Sequence, residues 1–197
     1  MTFTTSNIFC KGYQILPLRK FRSTQGVKFN EINPIDLPGI DGVDTVNHEP
    51  YVQSPPSIIL EKEFIKRPWY KHNGQNDMLL TLQGTRFVDL YNPETKEKTS
   101  FIVMPDKIYI NNKLYYDGPA ILNWKAGVYH RVVSGDLGSI SINFAKRDKS
   151  FDTNTEFNIY KLDELIGESE CIRRGTDDQN NNKFVINDVK LLNLLQE

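Results

Sequence analysis

Between residues 58 and 145 apolar positions come in short runs broken by turn residues, the spacing of an all-β sandwich or barrel. Nine runs read as strands, at 57–64, 78–82, 86–91, 100–104, 107–110, 113–116, 120–124, 129–133 and 139–144. The turns between them have suitable chemistry. Asn111-Asn112 tolerates positive φ, Asn92-Pro93-Glu94 presets a type I turn, and Gly84, Gly135 and Gly138 punctuate others. No amphipathic helix interrupts the stretch, which excludes alternating βαβ architecture and leaves an antiparallel meander or jelly roll.

The flanks read differently. Pro34, Pro38, Pro50, Pro55, Pro56 and Pro68 make the preceding part rich in loops, and residues 30–57 form a connection long enough to be a lid or arm. After Lys149 the pattern predicts a short helix at 161–166, a flexible polar tract at 175–183, and a final helix capped by Asn187 or Asp188. That last helix would carry Val189, Leu191, Leu192, Leu194 and Leu195, an apolar stripe that has to dock. The organisation expected is therefore an N-terminal arm or lid at 1–57, a barrel at 58–149 and an extension at 150–197.

Composition supports this frame. At 197 residues the chain suits one main core, and its 11 Phe and 9 Tyr favour strands. A net charge of −1, from 24 basic and 25 acidic residues, provides no global field for nucleic acid or anionic lipid. No apolar run approaches the roughly 20 residues of a membrane helix. Cys10 and Cys171 have no C-x-x-C spacing, and the first residues lack the pattern of a secretory signal, so cytoplasmic residence is expected.

The 3 histidines narrow the search for chemistry. His72 lies in Trp69-Tyr70-Lys71-His72-Asn73-Gly74-Gln75-Asn76-Asp77, ahead of an apolar run that reaches Gly84. His130 ends Trp124-Lys125-Ala126-Gly127-Val128-Tyr129-His130. These stretches resemble the paired motifs of the cupin superfamily, a jelly-roll β-barrel whose first motif runs H-x-H, three or four residues, Glu, six residues, Gly. Asp77 stands where that family has Glu, His72 fits the second His and Tyr70 occupies the first. In the second motif Gly127 and His130 match, Lys125 replaces Pro, Ser134 replaces Asn, and Gly118 stands one residue further away than usual.

The resemblance implies a cupin-like double-stranded β-helix that binds a small molecule. It also implies a divalent ion, Fe, Mn, Ni or Zn, held inside the barrel by His72, Asp77 and His130; imidazole nitrogens and a carboxylate oxygen suit such an ion. Cupins commonly pair, so a homo-oligomer, specifically a dimer, is expected. The principal reading is a metal-dependent enzyme acting on a small oxygenated substrate. The alternative is a metal-free isomerase or epimerase resembling deoxysugar-nucleotide epimerases, with His72 as base and Tyr70 or Tyr129 as acid; a third reading is a ligand-binding barrel without catalysis. Gln75, Arg86, Trp124 and Lys125 are the candidate substrate contacts, with Arg131 a further basic candidate. His48 reads as an exposed bystander unless the arm closes over the barrel mouth.

Overall fold

The computed structural model describes residues 11–60 and 63–179. The helix expected after Asn187, residues 180–183 of the polar tract and Cys10 lie outside the described residues. Within them the strands are β1 (Tyr13–Pro17), β2 (Arg19–Thr24), β3 (Val27–Glu31), β4 (Gly42–His48), β5 (Gln53–Ser54), β6 (Ile58–Leu60), β7 (Glu63–Ile65) and β8 (Trp69–Lys71). They continue as β9 (Gln75–Asn92), β10 (Glu97–Val103), β11 (Lys107–Ile110), β12 (Lys113–Asp117), β13 (Ala120–Trp124), β14 (Tyr129–Arg147), β15 (Ile159–Leu162) and β16 (Ser169–Arg173). One sheet holds 12 of these strands, while β2–β3 and β6–β7 form separate hairpins. Helix is confined to a 3-10 turn at Pro34–Asp36 and one α turn at Thr176–Gln179 among the described residues, so no described helix is long and apolar enough to cross a membrane.

The sheet is organised by two long strands, β9 of 18 residues and β14 of 19, which pair antiparallel along their length. The first part of β9 also pairs with β13 and its last part with β10. Strand β14 pairs likewise with β4 at one end and with β5 and β8 at the other. Each long strand therefore runs through both walls of the barrel. The runs expected at 78–82 and 86–91 are one strand, as are those at 129–133 and 139–144, because the turn glycines bend the chain without ending it. Register shifts between Ser134 and Ser139, opposite Arg86 and Gly84, so residues 135–138 bulge against Thr85 alone.

Two irregularities exchange the faces, residues 135–138 in β14 and Leu82 in β9, where Ile140 and Ser141 pair with Gln83 and Thr81. Asp77 and Leu79 face the interior before it and Arg86, Val88 and Leu90 after it; His130 and Val132 face the interior on one side, Ser141 and Asn143 on the other. A bulge shifts the two-residue alternation by one, so each half keeps its own inward set. Gly84 and Gly138 make the crossing possible: both have positive φ, 73° and 69°, and a Cβ on Gly84 would meet the Gly138 carbonyl oxygen at 2.1 Å.

One end of the interior is filled by Tyr13, Ile15, Leu79, Val88, Leu90, Phe101, Val103, Ile108, Leu122, Trp124, Val128 and Val132. The stretch expected as an N-terminal arm contributes to this assembly, for β1 lies beside β13 while β4 and β5 lie beside β14. From the expected extension, β15 joins β8. The helix expected at 161–166 is not formed. Its first part is β15, bonded to β8 and β16, and the Asp163 carboxylate then accepts from the backbone N–H of Leu165 and Ile166 to close a turn. The run expected at 57–64 likewise divides into the hairpin β6–β7.

Two glycines separate the crossing from simple backbone freedom. Gly26 has φ of 74°, close to that of Gly84, but a Cβ there meets nothing within 4 Å. Gly26→Ala should cost about 1 kcal/mol from the left-handed backbone alone, whereas Gly84→Ala should cost about 3 kcal/mol or more because the paired backbone must also move. Urea unfolding of the two variants measures the difference, and equal losses would remove the crossing as the source of strain.

Candidate active site

Above the apolar floor the barrel holds a cavity of about 320 Å³. Alternate residues of β4 supply Asp44, Val46 and His48, β9 supplies Gln75, Asp77, Leu79 and Arg86, and β14 supplies His130, Val132 and Asn143. Ser54, Tyr70, His72, Trp124 and Phe157 complete the lining. Leu79, Trp124 and Val132 belong to the core cluster as well, so the floor of the cavity is the roof of the packed core.

His72 is held on several sides. Its Nδ1–H donates to the Glu156 backbone carbonyl at 2.5 Å, which leaves Nε2 as the basic nitrogen. The Phe157 ring meets it edge-on, with centroids 5.1 Å apart. Glu156, wholly buried, accepts from the backbone N–H of Asn73 and Gly74 at 2.8 Å each, and so ties the segment carrying Phe157 to the turn after His72. Gly74 has to lack a side chain here, since a Cβ would lie 2.5 Å from the Phe151 backbone nitrogen.

His72 Nε2 lies 3.3 Å from Asp77 Oδ2. The other Asp77 oxygen accepts from Gln75 Nε2 at 2.8 Å and Asn143 Nδ2 at 3.0 Å, which orients the carboxylate toward His72. A bare imidazole nitrogen and a carboxylate oxygen are both acceptors; their approach is favourable when a proton or another cation lies between them. His130 stacks near this pair, its ring centroid 4.8 Å from that of His72 and 5.2 Å from Trp124. Burial and the neighbouring His72 lower the His130 pKa to about 3, so its ring is neutral at physiological pH. One ligand atom each from His72, Asp77 and His130 lie within 4.8 Å of one another, a set compatible with a divalent ion.

The cavity thus brings together Tyr70, His72, Gln75, Asp77, Arg86, Trp124 and His130 from the sequence-based candidates. Gln75 is already committed, donating to Asp77 and accepting from Arg147 Nε at 3.0 Å, so it orients the carboxylate. Tyr129 is a correction. It packs with Trp69 and Tyr91 on the opposite face of the sheet, its hydroxyl 2.6 Å from Ser169 Oγ; adjacency to inward-facing His130 in a strand requires this. Lys125 is a second, paired with Glu94 at 3.0 Å and absent from the cavity lining. Arg131 is a third, bound to Asp89 at 2.9 Å with its guanidinium over Trp69.

Asn143, Glu156 and Phe157 are site residues that sequence reasoning missed, while His48, read as a bystander unless the arm closes over the barrel mouth, lies on the cavity lining. For His48 a signal existed: Asp44, Val46 and His48 alternate along β4 and share one face. Glu156 left none, because its partners are backbone groups more than 80 residues away in sequence.

His48 supplies a pH test. Burial and the nearby Arg86 charge lower its pKa to about 4 from 6.5. The unfolded chain therefore binds this proton first, so the stabilisation is complete above pH 6.5 and is lost as pH falls toward 4. His48→Gln should flatten the dependence of urea-unfolding free energy on pH between 6 and 4.5 by up to about 1.4 kcal/mol per pH unit. Identical slopes in the two proteins would place the wild-type imidazole in solvent.

No protein-family model and no curated protein matches this sequence. Solved structures do match in shape. The rmlC epimerase of Mycobacterium tuberculosis superimposes with a TM-score of 0.52 at 8% identity, over 76% of this chain and 70% of that one. NovW, a 4-keto-6-deoxy sugar epimerase of Streptomyces spheroides, gives 0.51 at 8% identity, over 72% of this chain and 66% of that one. A dTDP sugar isomerase of Desulfovibrio desulfuricans G20 gives 0.50 at 14%, over 71% and 81%. With its antiparallel barrel, its two long crossing strands and an interior site at one end, the chain has the fold of the cupin superfamily.

Proposed function

We propose that the protein is an isomerase or epimerase that moves a proton at the carbon beside a ketone of a small carbohydrate-like substrate. The observation that carries this reading is the His72–Asp77 pair, set beside Tyr70 and neutral His130 in one cavity. His72 has a fixed tautomer, so Nε2 is the atom that takes the proton, and Asp77 stabilises the resulting imidazolium. His130, kept neutral by burial, donates a hydrogen bond to the ketone oxygen as negative charge develops there. Tyr70, whose ring centroid lies 5.9 Å from that of His130, supplies the proton returned to the substrate. The apolar floor excludes water from the reacting carbon. A sugar ring suits a cavity of this size, and two of the structures with this fold are described as sugar epimerases or isomerases.

A second reading rests on the convergence of His72, Asp77 and His130. The residues fit a divalent ion, since Asp77 Oδ2 and His130 Nδ1 are buried without a protein hydrogen-bond partner. A bound ion would supply Lewis acidity toward a substrate oxygen.

The test is hydrogen–deuterium exchange, followed by NMR in deuterated water, at the carbon beside the ketone of a dTDP-linked 4-keto-6-deoxy sugar. Wild-type protein should exchange it, and His72→Asn and Tyr70→Phe should each slow the exchange about 100-fold or more. Elemental analysis of the same preparations separates the readings. Exchange unchanged after chelation supports the proton-transfer site, whereas stoichiometric metal lost in Asp77→Asn, with exchange lost alongside it, supports the ion.

A further inference from the structure

Arg86 is the one arginine or lysine among the residues lining the cavity, and it is 3% exposed. A buried guanidinium ordinarily has a carboxylate partner, because its desolvation is costly without one. Arg86 has none among the described residues. Its NH2 group donates to the Val46 backbone carbonyl at 2.9 Å, and its Nε is buried with no protein partner. Asp77 is turned toward His72, Gln75 and Asn143, and Asp44, also on the lining, is exposed. The neighbouring side chain is His48, whose Nδ1 is likewise buried without a partner.

From this arrangement we infer that Arg86 and His48 form a subsite for a single negatively charged group, a carboxylate carried by the part of the substrate that enters the barrel. The inference rests on the proposed function and takes the same cavity; the sugar of the exchange assay has no carboxylate, so that assay reads the proton transfer without engaging Arg86. A carboxylate matches the planar edge of a guanidinium and accepts two parallel hydrogen bonds from it. The charge balance favours a monoanion. Arg86 is the one arginine or lysine on the lining, and a single guanidinium without a carboxylate partner matches a single negative charge rather than a phosphate dianion. Burial alone lowers the Arg86 pKa to about 10, which still leaves it charged.

Binding, rather than turnover, tests the subsite and keeps its failure apart from failure of the proton-transfer reading. Thermal unfolding of the full chain would be followed in sodium glucuronate, in glucose, in inorganic phosphate, and in sodium chloride of matched ionic strength. Near saturation glucuronate should raise the midpoint by about 5 °C or more, with no comparable rise in the other three. Arg86→Met removes the uncompensated charge and keeps much of the volume. It should unfold at a higher midpoint than wild type without ligand and show no response to glucuronate. Where Arg86→Met does not fold, Arg86→Lys should bind glucuronate at least about tenfold more weakly, because a lysine cannot present the two-pronged edge. No glucuronate-specific rise in wild type, an unchanged rise in either variant, or a rise with phosphate alone would overturn the proposal.

Discussion

The antiparallel pairing of β9 with β14 is the constraint on which the rest of the structure depends. Each strand is long enough to run through both walls, and one bulge in each, at Leu82 in β9 and at 135–138 in β14, sets which residues face inward in each half. Because the alternation of β9 shifts at Leu82, Asp77 and Arg86 share one interior despite their odd separation in sequence. Without the bulges one half of each strand would turn its polar set to solvent and its outer face to the core. The close backbone approach at Gly84 and Gly138 therefore acts on the chemistry through geometry alone, from a point where no catalytic group resides.

The barrel interior is divided by polarity. At the packed end aliphatic and aromatic side chains fill the space between the walls, and their burial drives closure. At the other end polar groups converge. Half of the buried, unpartnered side-chain atoms among the described residues, those of His48, Asp77, Arg86, Trp124, His130 and Asn143, belong to the cavity lining. Each such atom lowers stability by about 1–3 kcal/mol relative to a satisfied one. A cluster of them is tolerable only on a core that can absorb the loss, and it is the expected pattern where groups are aimed at a ligand. The shared floor residues Leu79, Trp124 and Val132 couple the two ends mechanically, holding the site on strands rather than on loops.

Much of this was legible in the sequence, for identifiable reasons. The β runs and the asparagine turn are local signals, and Asn111 and Asn112 do adopt positive φ of 48° and 65°. His72, Asp77 and His130 were found because motif spacing survives in a linear string, even where Tyr70 replaces an expected histidine. Their convergence could not be calculated from the string, since it arises from strand pairing over dozens of residues. Tyr129 shows the opposite case: strict alternation beside His130 was available and excluded it from the cavity. The 161–166 segment carried helix-compatible residues, yet β16 offered Lys161 and Leu162 a partner strand and Asp163 offered a turn, and those bonds outweighed propensity.

The site also depends on chain that no motif marks. Glu156 sits beyond the paired motifs, yet its carboxylate fastens the backbone just after His72 and its carbonyl selects the tautomer of the ring. A wholly buried carboxylate receiving two backbone N–H groups is a rigid fastening, because breaking the contact would strand the carboxylate and the buried Gly74 N–H together. The loop that carries it brings Phe157 against the His72 ring and closes over Gly74. The motif thus places His72, while the segment after β14 sets which of its ring nitrogens carries the hydrogen. Any comparison of such barrels confined to their two motifs would match the histidines and miss the carbonyl that sets the tautomer of one of them.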